Sequence, residues 1–180
     1  MDSLTQAVLG ASVQGAMLGR FQGRKALVYG ALLGTLPDMD VLIDFGDAVA
    51  DMTYHRGFSH SVFVLGAVAV LLTWLARRLF PRAEYGAGRL FTCIALVLFT
   101  HVTLDAFTTY GTQLFSPLHP PPVALSSIFI IDPFYTVPLL LAVIAGLVVG
   151  LGRKGLSWQS GALGLSSLYL VSTLAGKHMP

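Results

Sequence analysis

A chain of 180 residues with 54% hydrophobic and only 11% charged side chains lies well outside the range of soluble domains, which carry about 25% charged residues. Disorder needs the opposite composition, and a formal net charge of +2, scattered along the chain, excludes a nucleic-acid footprint. The single cysteine, Cys93, excludes an internal disulfide and a multi-cysteine metal site, and its apolar surroundings make it a small buried side chain.

What remains is one integral membrane domain over residues 1–180, with a mean hydropathy of +0.73. The opening Met1-Asp2-Ser3-Leu4-Thr5-Gln6 has no basic stretch, and no Ala-x-Ala-like cleavage site follows it cleanly. The segment is therefore expected to be retained rather than removed as a signal peptide.

In chain order, Leu4 to Gly19 is apolar but rich in Gly, Ala and Ser, and Arg20-Phe21-Gln22-Gly23-Arg24-Lys25 interrupts it. Ala26 to Leu36 resumes briefly and stops at Pro37. Two short helices in a hairpin are expected, packed closely through Gly10, Gly15, Gly19, Gly30 and Gly34, because small residues let helix backbones approach in a membrane. Four apolar stretches follow, roughly Ser61–Ala76, Leu90–Phe107, Phe134–Leu151 and Trp158–Ala175. Each approaches the roughly 20 residues that a membrane helix needs. The first extends through Phe80 if Arg77 and Arg78 snorkel to the interface. The expectation is an all-α polytopic membrane protein of about four transmembrane helices plus the short N-terminal hairpin.

Arg20, Arg24, Lys25, Arg77, Arg78, Arg82, Arg89, Arg153 and Lys154 are nine of the eleven basic residues, and six crossings put them all on one side. That side is expected to be cytoplasmic, with both termini outside. Arg56 and Lys177 lie on the other side, and all eight aspartates fall at or near that outer face.

Four segments bring chemistry to this extracytoplasmic end. Leu36-Pro37-Asp38-Met39-Asp40 follows the second short helix, and two carboxylates so near apolar sequence are costly unless a positive group holds them. The alternative is a solvated turn. Tyr54-His55-Arg56-Gly57-Phe58-Ser59-His60-Ser61 carries two of the five histidines. Gly57 breaks the run and Ser59 is a possible N-cap, so His55 and His60 can turn toward one point. His101-Val102-Thr103-Leu104-Asp105 places imidazole and carboxylate at i and i+4 on one helix face, about 5–6 Å apart. That pair can bind one metal together, or Asp105 can orient His101 through its second ring nitrogen. In Ile131-Asp132-Pro133-Phe134, Asp132 either reaches the site or caps the helix that Pro133 begins. Thr108 to Gln113, including Tyr110, and the Pro-rich residues after it can line or cover the site. His119 and His178 are expected to be solvated.

Carboxylate and imidazole ligands without thiolate suit zinc, with manganese or iron as alternatives. The ligand set Asp38, Asp40, His55, His60, His101 and Asp105 is large enough for one or two ions. A metal there can activate water and polarise a phosphoryl or carbonyl oxygen.

Taken together, Met1–Gln6, Leu36–Asp40, His55-Arg56-Gly57-Phe58-Ser59-His60-Ser61, His101–Asp105 and Thr108–Thr112 resemble the YdjM-like family over most of the chain. These are LexA-binding, inner-membrane-associated proteins assigned as metal-dependent hydrolases. The resemblance implies a bacterial inner-membrane protein with a metal-hydrolase site at Asp38, Asp40, His55, His60, His101 and Asp105. Many relatives carry a histidine near the N-terminus. Here Thr5-Gln6 occupies that region, which leaves Gln6 as a weaker neutral ligand or a hydrogen-bond donor. His101-x-x-x-Asp105 with the upstream Asp and His also resembles, in part, the zinc-dependent phospholipase C and nuclease pattern.

The expected function is hydrolysis at the outer face of the inner membrane, on a phosphoester of a lipid or lipid-linked substrate. His55, Arg56, His60 and Asp105 are expected to be catalytic. Arg56 would clamp phosphate, and Ser59, Tyr110, Asp132 and Gln6 would contact substrate. Membrane lipids are the expected partners. A transporter or metal permease, or a scaffold with a structural metal, are the alternatives.

Overall fold

The computed structural model describes residues 1–42, 46, 57–118 and 120–177. Among them the regular structure is helical, with one isolated antiparallel bridge between Thr112 and Val123. Six α-helices follow in order: α1 Ser3–Gln22, α2 Lys25–Gly34, α3 Val62–Leu79, α4 Ala87–Ala106, α5 Pro133–Val149 and α6 Arg153–Lys177. Two 3-10 turns, Pro37–Leu42 and Phe58–His60, lie between α2 and α3.

The first helix is not short. It runs 20 residues, through Arg20 to Gln22. Arg20 falls in its last turn, where a cation complements the helix dipole, and the guanidinium lies 5.2 Å from the centre of the Phe21 ring. Gly23, at φ +57°, stops the helix, and its N–H donates to the carbonyl of Gly19. The second helix has ten residues, ended by the approach of Pro37.

The hairpin packs as its glycines require. A Cβ on Gly10 would sit 2.2 Å from the carbonyl oxygen of Gly30, so the two backbones touch. α1 is the hub, packed against α2, α4, α5 and α6, while α3 leans on α4. One apolar cluster gathers Leu27, Leu139 and Val143, and a second gathers Leu65, Ala69 and Leu98 with Leu18 of α1.

α3 and α4 are long and apolar enough to cross a membrane. α5 is apolar but has 17 residues. α6 is long but mixed in polarity, and it buries its polar groups against α5. The amide of Gln159 donates to the carbonyl of Ala142 at 2.7 Å, and Ser166 donates to that of Tyr135 at 2.9 Å. Phe63, Val70, Leu71 and Trp74 of α3 are exposed, an apolar strip of the kind that marks a membrane or partner surface.

Candidate metal centre

Four side chains from three segments meet at one end of the bundle. Pro37 halts the chain after α2, and the 3-10 turn that follows carries Asp38 and Asp40. The turn at Phe58–His60 lies against it. Ser61, not Ser59, takes the N-cap position of α3, and its hydroxyl donates to the carbonyl of Ser116 at 2.6 Å. His101 and Asp105 stand on the last turns of α4, both buried.

Donor atoms of Asp38, His60, His101 and Asp105 all lie within 4.8 Å of one another. His60 Nε2 is 3.1 Å from Asp105 Oδ2 and 3.5 Å from Asp38 Oδ1. His101 Nε2 is 3.4 Å from Asp105 Oδ2, 3.3 Å from Asp38 Oδ1 and 3.3 Å from His60 Nε2. A tetrahedral zinc ion with bonds of about 2.0–2.2 Å has ligand–ligand edges of about 3.3–3.6 Å. Five of the six separations, at 3.1–3.5 Å, lie near that figure, and the Asp38 and Asp105 oxygens are within 4.8 Å of each other.

The hydrogen bonds behind the cluster decide which face each imidazole presents. His101 Nδ1 lies 2.6 Å from the carbonyl oxygen of Gly34. A carbonyl only accepts, so Nδ1 carries the proton and a neutral ring turns the Nε2 lone pair inward. His60 Nδ1 lies 2.8 Å from Ser59 Oγ, whose own hydroxyl donates to Asp40 Oδ2 at 2.5 Å. The hydroxyl therefore accepts from Nδ1–H, and the second Nε2 lone pair also faces inward. Two lone pairs and two carboxylates then converge with no donor among them, which is the chemistry of a cation site.

Burial disfavours the charge on Asp38, but hydrogen bonds from His101 and His60 outweigh it and hold this carboxyl well below the usual carboxylate range.

Asp105 is supported from its far side. Oδ1 accepts from the amide of Gln6 at 3.3 Å and from the nitrogen of Met1, which leaves Oδ2 for the centre. The same Gln6 amide lies 3.2 Å from the carbonyl of His101, while Gln6 Oε1 is buried with no partner among the described residues. Asp105 does not orient His101 through its second ring nitrogen, because Gly34 occupies that nitrogen.

The described candidates Asp40, Asp132 and Tyr110 are not among the four converging side chains. Asp40 stands behind His60, with Oδ2 3.9 Å from its Nδ1, and Ser59 bridges the two. Asp132 caps α5, accepting from the N–H groups of Phe134 and Tyr135, and its other oxygen accepts from the Tyr169 hydroxyl at 2.9 Å. Tyr110 is exposed. His55 and Arg56 lie outside the described residues, as do His119 and His178. The sequence offered no signal for Gly34, whose part is played by a backbone carbonyl.

A family model described as "YdjM inner membrane protein" matches residues 1–179. The chain belongs to the YdjM family. YfhP of Bacillus subtilis (strain 168) is 32% identical over 178 residues, covering 95% of this chain and 53% of that protein. The inner membrane protein YbcI of Escherichia coli (strain K12) is 39% identical over 88 residues, covering 48% of this chain and 49% of its own. The chain thus spans about half the length of the curated relatives it matches. No solved structure matches it. For a YdjM protein, the buried His/Asp cluster is a site able to bind a divalent metal ion.

Proposed function

We propose that this chain is a metal-dependent hydrolase of the inner membrane that cleaves a phosphoester of a lipid or lipid-linked substrate. The observation that carries the proposal is the buried convergence of four acceptor groups at zinc-like separations. Asp38, His60, His101 and Asp105 would hold the ion. Two imidazoles among four ligand groups favour zinc over manganese, which prefers six oxygen-rich positions. A bound zinc ion supplies a water of lowered pKa and polarises a phosphoryl oxygen.

The chain's own groups do the rest. Gly34 and the Ser59–Asp40 pair keep both imidazoles in the ligating tautomer. Gln6 holds Asp105 and leaves its Oε1 to accept from a water or substrate hydroxyl. Arg56, four residues before His60 in sequence, would clamp the phosphate.

The proposed topology is multi-pass, with the site at the outer face. The cluster lies at the start of α3 and the end of α4, whereas Arg77 and Arg78 lie in the last turn of α3 and Arg89 in the first turn of α4. The positive-inside tendency then directs the cluster outward, at a depth where a headgroup is in water and its acyl chains are in lipid.

One observation favours a second reading, a structural metal: four protein ligands already complete zinc's tetrahedron. Against closure, the Asp38 side chain is 16% exposed whereas those of His60 and Asp105 are fully buried. Metal analysis of purified protein, followed by assays on phosphatidic acid and on phosphodiester substrates in detergent micelles, separates the two. Bound zinc with turnover that disappears in His101→Ala supports the hydrolase. Bound zinc with no turnover on any phosphoester leaves the structural metal, and absence of bound metal after zinc loading overturns both.

A further inference from the structure

A second feature lies at the opposite end of the bundle. A cleft of about 870 Å³ opens between α1, α2, α3 and α4, within the range of small-molecule sites. Its walls are apolar, with Leu33 of α2 facing Leu72 and Leu75 of α3. Its mouth carries Lys25, Arg82, Glu84 and Tyr85. Its basic mouth follows the end of α3, about 25 Å from the start of that helix where the His/Asp cluster lies, while its apolar wall reaches Leu33, next to Gly34.

The mouth is built rather than incidental. The amide of Gln14 donates to Gln22 Oε1 at 3.0 Å, and the amide of Gln22 donates to the Tyr85 hydroxyl at 3.0 Å. This directional chain uses the Tyr85 oxygen as an acceptor, so the phenolic proton is left to donate. Arg77 fixes the loop that carries Arg82, donating to the carbonyls of Ala83 at 3.4 Å and Tyr85 at 3.1 Å. The Tyr85 ring meets Phe21 edge-on at 5.9 Å, and the Arg89 guanidinium lies 5.3 Å from the centre of Phe21.

We infer that this cleft binds an anionic glycerophospholipid, with its phosphate at Lys25, Arg82 and the Tyr85 hydroxyl and an acyl chain along Leu33, Leu72 and Leu75. Charge selects the occupant. Lys25 and Arg82, with Arg77 and Arg89 beside them, outnumber Glu84 and leave the mouth positive, and an anionic headgroup neutralises that charge. A zwitterionic lipid leaves that charge unbalanced. The basic end of a helical membrane protein is also where anionic leaflet lipids meet lysine and arginine.

The test uses the full chain in a neutral detergent, with dioleoyl phosphatidylglycerol, phosphatidylethanolamine and phosphatidylcholine as probes and retention read by native mass spectrometry. Phosphatidylglycerol is expected to bind about tenfold tighter than either zwitterion. That preference is expected to vanish in the Lys25→Ala/Arg82→Ala double variant and to persist in Ser166→Ala, on α6 outside the cleft. Leu75→Trp, which fills the cleft and leaves the charges in place, is expected to lower retention of all three lipids. Should the double variant fail to purify, rising salt applied to the unaltered protein should erode phosphatidylglycerol retention selectively. Equal retention of the three lipids, retention indifferent to salt, or a preference that survives in the double variant would each overturn the inference.

Discussion

The ring nitrogen Nδ1 of His101 donates to the carbonyl oxygen of Gly34 across 2.6 Å, joining the metal cluster to the point where α2 closes on α1. A Cβ at Gly34 would stand 2.5 Å from the carbonyl oxygen of Gln6 and 3.1 Å from Gly10 Cα. Gly34→Ala must therefore push α2 away from α1 and carry the carbonyl with it. Overpacking of this kind costs about 1–3 kcal/mol, and loss of a ligand's orienting partner costs about 10–100-fold in metal affinity. Thermal unfolding and zinc titration should both show the loss, and wild-type behaviour in both would detach Gly34 from the site.

Asp105→Asn separates a ligand from a mere supporter. The amide keeps the shape and still offers an oxygen to Gln6 and Met1, but it turns an NH2 toward the two Nε2 atoms. Zinc affinity should fall beyond the 10–100-fold expected of a supporting partner. Asp40→Ala, which strands the Ser59 hydroxyl behind His60, should fall within that range. His119→Ala, in the Pro-rich segment of the sequence, is the control and should leave zinc content unchanged. Equal losses in the Asp105 and Asp40 variants would contradict the ligand set.

Zinc binding should weaken in acid. Ligation needs both Nε2 lone pairs, and a proton on either one competes with the ion. Apparent affinity should therefore fall as pH is lowered. Zinc titrations across a pH series measure the dependence directly. An affinity that stays constant from neutral pH into acid would mean that the two Nε2 atoms are not the ligating atoms.

Asp132→Ala removes the cap of α5 and the partner of the Tyr169 hydroxyl at once. A lost cap costs about 0.5–2 kcal/mol, and a stranded hydroxyl adds to that. The melting temperature should drop while zinc content and affinity at low temperature stay at wild-type values. Impaired zinc binding in a fully folded variant would return Asp132 to the functional site.

The proposed orientation is open to labelling. With Cys93 buried, a cysteine introduced at position 82 should react with an impermeant maleimide only once the inner face is opened. A cysteine at position 56 should react in intact cells. The reverse pattern would turn the molecule over.

Composition alone argued against an ordinary soluble domain, because 11% charge is less than half of the about 25% usual there. The proline at 37, the Asp132-Pro133 start and the glycines of the first 34 residues are local signals, since backbone geometry and helix capping act over a few residues. The sequence by itself ends α1 too early, because Arg20 reads as an interruption whereas the helix runs on to Gln22. A lysine or arginine at a helix terminus is compatible with the helix it ends.

His101 and Asp105 could be paired from spacing alone, because an i, i+4 relation is a property of one helix. Which other groups join them was a tertiary matter. Asp38 and Asp40 differ by two positions in sequence, yet one faces His60 and His101 while the other backs His60 through Ser59. A 3-10 turn points neighbouring carboxylates in different directions, and only its docking against the Phe58–His60 turn decides which one faces the centre. Gly34 illustrates the same limit. Its carbonyl sets the tautomer of a histidine 67 residues away, and a backbone oxygen has no residue-specific mark in the sequence until the chains are packed.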